Sequence, residues 1–195
     1  MDKEKKDKRR TYSILMWTFI ANKLKIPFGA RIDHVVEIGS RQGHWVVGLL
    51  DSFDVQKLFA IDLWPRARRF VSHCGEWLEK LGDRAFKNAF PLRGDSGEWA
   101  KVLPVEPIDL LFIDGNHKKH FVINDLNFWY HRVRPGGLIL MHDAFEAQND
   151  RGVMDAANEF FADKPEGPQV CYVGPTKKIP SLWIVKGESD GPAAV

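Results

Sequence analysis

Five short apolar runs, Val35 to Ile38, Leu58 to Ile61, Ala89 to Leu92, Leu110 to Ile113 and Leu138 to Met141, alternate with longer stretches of helical character. This alternation constrains the chain most, because strands that alternate with helices build a parallel sheet covered on both faces. The best-defined crossover lies between the last two runs. There Val122, Leu126, Trp129 and Val133 follow at i, i+4, i+7 and i+11, a helical stripe that ends at the Pro135 to Gly137 turn. Such a strand, helix, strand unit is right-handed in nearly all known cases, and its two strands tend to lie side by side and parallel. A further helix is expected near Asp150 to Phe161, followed by strands within 167–174 and 181–187 joined by a turn around Pro175 to Pro180.

Length and charge then narrow the class. At 195 residues, 44% hydrophobic and 28% charged, the chain suits a single globular domain rather than a disordered or fibrous one. The net charge of +2 belongs to the first ten residues, where six Lys/Arg face three Asp/Glu; the rest of the chain carries a net −1. Residues 1–10 therefore read as a flexible basic tail and 11–195 as the domain, which lacks the basic face expected of a nucleic-acid binder. The apolar stretch after the tail has acidic residues ahead of it and no small-x-small cleavage site. It reads as a helix through about Lys25 that lays Ile14, Leu15, Phe19 and Ile20 on the domain, rather than as a signal peptide. No run reaches the roughly 20 apolar residues of a membrane span. Cys74 and Cys171 match neither a metal spacing nor a disulfide framework, which suits a cytoplasmic protein.

Two of the apolar runs stop on carboxylates. Asp114 follows Ile113, and His142 and Asp143 follow Met141. If the two strands are neighbours, roughly 4.8 Å apart, both acids leave the sheet at its carboxyl edge within reach of one ligand. Paired carboxylates repel unless a proton or a cation lies between them; a hard divalent ion such as Mg²⁺ is the natural cation, with His142 or Asn116 completing or orienting its shell. Taken singly, each aspartate also suits a cap on the following helix or turn. Strict strand alternation would send His142 and Asp143 to opposite faces and let only one reach such an ion.

The first strand carries Glu37, followed by Gly39 and Gly43 and then the start of a helix; Arg41 and His44 depart from the dinucleotide glycine pattern. The second ends on Asp62, where an acid can accept from ribose hydroxyls. Trp45, Trp64 and Trp99 read as core or pocket wall.

In order, the segments "VVEIGSRQG", "FAIDLW", "LRGDSGEW", "DLLFIDGNH" and "RPGGLILMHD" resemble the class I S-adenosylmethionine-dependent methyltransferases. The likeness is strongest to the small bacterial O-methyltransferases of sugars and macrolides, which are similar to the catechol O-methyltransferases. It runs from about Ile32 to Val185. It implies a single-domain Rossmann-like fold, a mostly parallel seven-stranded sheet with an antiparallel last strand and helices on both faces. It also implies that Glu37, Gly39, Ser40 and Gly43 hold the methionine moiety and Asp62 the ribose, with Leu63 against the adenine and Asp95 and Ser96 facing its amino group. Asp114 would lie beside the cofactor and, with His142 and Asp143, hold Mg²⁺ or another divalent cation; Asp114, His117 and His142 would be the catalytic groups. Asn116 and Lys119 stand where the branch often has an acid and an aromatic.

The expected reaction is in-line methyl transfer to a small hydroxylated acceptor, which needs alignment and the removal of one proton. His117 can act as general base or cap the next helix. Acceptor choice would fall to the N-terminal helix, the segment after Asp143 and the turn before Ser181. The resemblance leaves a homodimer open, and an amine acceptor. The rival readings are a non-catalytic S-adenosylmethionine-binding regulatory or scaffold protein and, disfavoured by the glycine spacing, a nicotinamide dehydrogenase.

Overall fold

The apolar runs are continuous rather than alternating because the central strands are buried on both faces. Leu110 and Phe112 belong to one core, together with Leu58, Val35, Leu138 and Leu140. Leu111 and Ile113 belong to the other, together with Val36, Ile61, Ile139 and Met141. The computed structural model describes residues 16–65, 68–104, 107–145, 151–171 and 181–187. The basic tail, Ile14, Leu15 and the Pro175 to Pro180 turn lie outside them.

Helix α1 covers residues 16–24. There follow β1 (Arg31–Ile38), α2 (His44–Ser52), β2 (Asp54–Asp62), α3 (Arg68–Leu81), β3 (Ala89–Arg93), α4 (Ser96–Val102), β4 (Ile108–Ile113), α5 (Lys119–Trp129), β5 (Val133–Met141), α6 (Gly152–Phe160), β6 (Gln169–Cys171) and β7 (Ser181–Val185). The sheet order is β3-β2-β1-β4-β5-β7-β6. Strands β1 to β5 pair in parallel, and β7 runs antiparallel to both β5 and β6. This is the expected Rossmann-like methyltransferase architecture, reversed last strand included.

Met16, Trp17, Ile20, Trp77 and Leu49, from α1, α2 and α3, fill the first core. Val122, Leu126, Trp129, Val153 and Ala156, from α5 and α6, fill the second. Helix α1 docks more tightly than expected from Phe19 and Ile20 alone. Trp17 lies so close to α2 that a Cβ on Gly48 would come within 2.4 Å of its ring.

One detail of the crossover differs from the sequence pattern. Helix α5 stops at Trp129, a 3-10 turn covers Tyr130–Arg132, and Val133 is the first residue of β5. Val133 is buried as the stripe demands, but as a strand residue. Periodicity registers burial and cannot see where the backbone changes conformation. The turn is tied down by Lys186, whose Nζ donates to the carbonyls of Tyr130, His131 and Val133 at 3.0, 3.2 and 2.7 Å.

Register aligns the strand ends that matter. Ile38 pairs with Ile61 and with Ile113, and Ile113 pairs with Met141. The next residues, Gly39, Asp62, Asp114 and His142, therefore form one row past the carboxyl edge of the sheet.

Candidate active site

That row borders a cleft of about 1140 Å³. Glu37, Gly39, Ser40, Asp62 and Leu63 line one part of it, Asp95 and Ser96 another, and Asp114, His117, His142 and Asp143 a third. The structure thus brings together every site residue expected from the sequence except Gly43, which lies behind the loop. Gly43 takes φ 70° at the N-cap of α2, and a Cβ there would stand 2.5 Å from the Trp77 ring. Gly39, at φ +90°, lies against β4: a Cβ would come within 2.2 Å of the Asp114 carbonyl oxygen. Its small size lets the first and fourth strand ends meet.

Asp62 organises the loops around it. Oδ2 accepts from the Arg41 backbone N–H at 2.8 Å, and Oδ1 from that of Trp64 at 2.7 Å. The Trp64 indole closes the circuit by donating to the Arg41 carbonyl at 2.7 Å. Each carboxylate oxygen retains capacity for a second donor. Ser40 accepts from the Trp77 indole at 2.8 Å. Asp95 caps α4, its Oδ1 accepting from Gly97 N and Glu98 N at 2.9 and 3.2 Å. Ser96 Oγ donates to Asp125.

Glu37 is 2% exposed, and its Oε2 is buried without a hydrogen-bond partner. Burial pushes its carboxyl up to about 8; Ser40 opposes the shift, and Asp114 and Asp62 add to it. A buried acid of this kind calls for a cationic neighbour.

At the ends of β4 and β5 two histidines interleave with two aspartates. His142 Nδ1 lies 3.2 Å from Asp114 Oδ1 and 2.9 Å from Asp143 Oδ1. His117 turns Nε2 to Asp114 Oδ1 at 3.3 Å and Nδ1 to Asp143 Oδ2 at 3.5 Å. Strand alternation does not separate His142 from Asp143, because β5 ends at Met141 and Asp143 takes φ 53°, which folds its side chain back beside His142. Burial lowers the proton affinity of His142, but Asp114 and Asp143 outweigh it and raise the imidazole to about 10. Burial would raise Asp114; its bonds and charge interactions with His117 and His142 leave it below the usual carboxylate range.

Neither aspartate caps the helix that follows it. Helices α5 and α6 have Lys118 and Arg151 at their N-caps, neither helix with a side-chain capping bond. One ligand atom each from Asp114, His117 and Asp143 lies within 4.8 Å of the others, a donor set that could hold a metal ion. The expected third ligand, His142, also stands within reach, its Nδ1 facing both carboxylates. Asn116 instead accepts from the Lys118 backbone N–H at 3.1 Å.

Trp45 forms cleft wall, as expected, stacked on Phe112 with centroids 4.4 Å apart. Trp64 also lines the cleft, and Trp99 packs with the second core. Among the cleft residues not anticipated are Phe121 and Asp125 of α5. An acid inside the apolar stripe of Val122 and Leu126 was the available signal.

The sequence profile of the family described as "Methyltransferase domain" matches residues 36–144, more than half of the chain. Uncharacterized protein R132 of Acanthamoeba polyphaga mimivirus is 43% identical over 89 residues, which cover 42% of this chain and 40% of that protein. The chain therefore spans well under half the length of that curated relative. Among solved structures, the O-methyltransferase TomG from Streptomyces achromogenes, in complex with SAM, is similar with a TM-score of 0.65 at 18% identity, over 89% of this chain and 79% of TomG. An O-methyltransferase from Bacillus cereus in complex with SAH gives 0.64 at 16%, over 90% and 80%. An rRNA methylase from Streptococcus thermophilus gives 0.60 at 15%, over 88% and 95%. At these identities the likeness concerns the fold, and the same fold serves small-molecule and RNA acceptors alike.

Proposed function

The chain belongs to the methyltransferase domain family, and from that premise we propose that it transfers the methyl group of S-adenosylmethionine to a hydroxyl of a small molecule, assisted by a divalent cation. One observation carries the reading. A single cleft joins the glycine loop and Asp62 to the Asp114, His117, His142, Asp143 cluster, which places cofactor-type acids beside groups that can orient and deprotonate an alcohol. The similar folds crystallised with SAM and SAH support it.

The residues present fit the cofactor. Glu37 offers a buried carboxylate oxygen with no partner, suited to an ammonium group, and Asp62 retains acceptor capacity for a ribose diol. S-adenosylmethionine, when bound, supplies a sulfonium methyl group open to in-line attack by an oxygen nucleophile. The chain's own tasks are alignment and proton removal. Where no cation is bound, an imidazolium formed at His117 would lie between Asp114 and Asp143, which makes that ring the natural proton acceptor.

Asp114, His117 and Asp143 also fit a cation, and among the described residues the two carboxylates share the imidazoles of His117 and His142 as counter-charges. A divalent ion held there would bind the acceptor oxygen and lower its pKa. One nitrogen and two carboxylate donors suit Mn²⁺ or Zn²⁺ at least as well as Mg²⁺.

Calorimetry with S-adenosylhomocysteine, with NAD as control, followed by methyl-transfer assays on sugars, polyols and phenols with and without EDTA, tests the reading. Binding of S-adenosylhomocysteine but not NAD is the expected result. Transfer that persists in EDTA would remove the cation and leave His117 as the base. Binding without transfer to any acceptor would favour a regulatory or scaffold protein.

A further inference from the structure

Helix α5 packs against α4 beneath the loop that follows β3, and it carries an acid where its neighbours are apolar. Asp125 is 6% exposed and lies between the buried Val122, Leu126 and Trp129. Asp125 nevertheless lines the cleft, as does Phe121 one turn earlier. Residues four apart share a helix face, so the two present an apolar ring and a carboxylate side by side.

Enclosing a carboxylate costs free energy unless several donors face it. Ser96 Oγ donates to it. Burial pushes the Asp125 carboxyl up to about 6, against the Ser96 bond and with a further push from Asp95. Asp95 is the other acid at this end of the cleft, and its Oδ1 serves the Gly97 and Glu98 N–H groups of α4. An isosteric amide at 125 would keep the Ser96 bond and avoid the desolvated charge, so the acid points to a donor that arrives with a ligand.

Position indicates which donor. With the ribose at Asp62 and the methyl group directed at the Asp114 cluster, the base extends the opposite way, from β2 toward the loop after β3. There the cleft is lined by Gly94, Asp95 and Ser96 together with Phe121 and Asp125, and by the 62% exposed Leu63. We infer that Asp125, held by Ser96, reads the exocyclic amino group of the adenine ring and that Phe121 covers one face of that ring. The inference rests on the cofactor reading above and adds a specificity-determining residue to it.

The test compares S-adenosylhomocysteine with S-inosylhomocysteine, in which an oxygen replaces the amino group, by calorimetry on the intact chain. Wild type should prefer the adenosyl compound by roughly tenfold to a hundredfold, the range for a hydrogen bond to a charged group. Asp125→Asn keeps the shape and can donate to the inosyl oxygen, so the preference should fall to within about threefold. A merely structural role for Asp125 would lower both affinities together and leave the ratio unchanged. Ser96→Ala, which frees the carboxylate from its holder, should narrow the ratio less and decides the matter if Asp125→Asn melts before it can be assayed. An unchanged ratio in folded variants overturns the inference. Failure of wild type to bind S-adenosylhomocysteine at all would overturn the cofactor reading and this inference with it; binding with no discrimination overturns the inference alone.

Discussion

His142 and Asp114 meet across the edge of the sheet, Nδ1 to Oδ1 at 3.2 Å, and the same nitrogen lies 2.9 Å from Asp143. Two neighbouring parallel strands thus end on carboxylates that share one imidazole, and His117 spans the same pair. The arrangement lets two acids stand together in a partly enclosed site, and it leaves a three-donor set for a cation.

If that set holds a cation, Mn²⁺ or Zn²⁺ should raise the melting temperature of the chain by mass action, since the unfolded chain has no preformed site. Asp143→Asn should abolish the rise and leave S-adenosylhomocysteine affinity within about twofold, because Asp143 belongs to the acceptor end of the cleft. Melting curves in EDTA, Mg²⁺, Mn²⁺ and Zn²⁺ measure this directly. A wild-type curve indifferent to all three ions would remove the cation from the reading.

Asp62 accepts from two backbone N–H groups besides its proposed ribose contact. Asp62→Ala should therefore weaken S-adenosylhomocysteine binding by about 1.5 to 3 kcal/mol and also lower the melting temperature of the free chain. Calorimetry and melting measured on the same preparation separate the effects. Affinity equal to wild type would show that the carboxylate serves the loop alone.

Glu37 gives a dependence on pH. Its carboxyl rises from an ordinary 4.5 to about 8 in the folded chain, chiefly through burial. A pKa raised by folding contributes stability that is complete below pH 4.5 and is lost as pH rises through about 8. Glu37→Gln should thus be less pH-sensitive than wild type between pH 5 and 8.5, the difference growing to roughly a few kcal/mol. Binding of an ammonium-bearing ligand beside Glu37 should release a proton at pH 7. Calorimetry in buffers of different ionisation enthalpy detects that release; a buffer-independent heat would place the ligand's ammonium elsewhere.

Gly152 opens α6 directly against the loop that carries His117. A Cβ there would come within 2.3 Å of the His117 carbonyl oxygen and 2.8 Å of Lys119 N. Gly152→Ala must push the loop aside, costing roughly 1 to 3 kcal/mol. It should lower kcat for methyl transfer while leaving S-adenosylhomocysteine affinity near wild type, because it touches only the acceptor end. Equal losses in both would mean that the two ends of the cleft are mechanically coupled.

The architecture was legible in the chain because its causes are local. Strands buried on both faces must be apolar throughout, helices between them must carry a stripe, and strand ends at a parallel edge must turn polar; Ile38, Ile113 and Met141 mark those ends in the sequence itself. The positions of Glu37, Asp62, Asp114 and Asp143 followed from the same logic, since each adjoins or belongs to a readable strand. Their neighbours were not legible in the same way. Gly39 suggests a tight turn, but only the packed sheet brings its Cα against the Asp114 carbonyl. Val133 continues a helical stripe, but only the backbone makes it a strand residue.

What tertiary structure alone decided was which groups face one another. Side-chain alternation separates His142 from Asp143 on paper, and a single left-handed residue past the end of β5 reunites them. His117 joins Asp114 and Asp143 as a possible ligand from a loop that packs on α6, an element that enters the chain more than thirty residues later. Asp125 reads in sequence as an interruption of an apolar stripe; its place beneath Ser96 at the cleft exists only once α5 packs on α4. Local pattern determines what a segment becomes, because propensity and burial act over a few residues. The partners of a charged side chain are set by elements distant in sequence, so contact between them exists only in the folded chain.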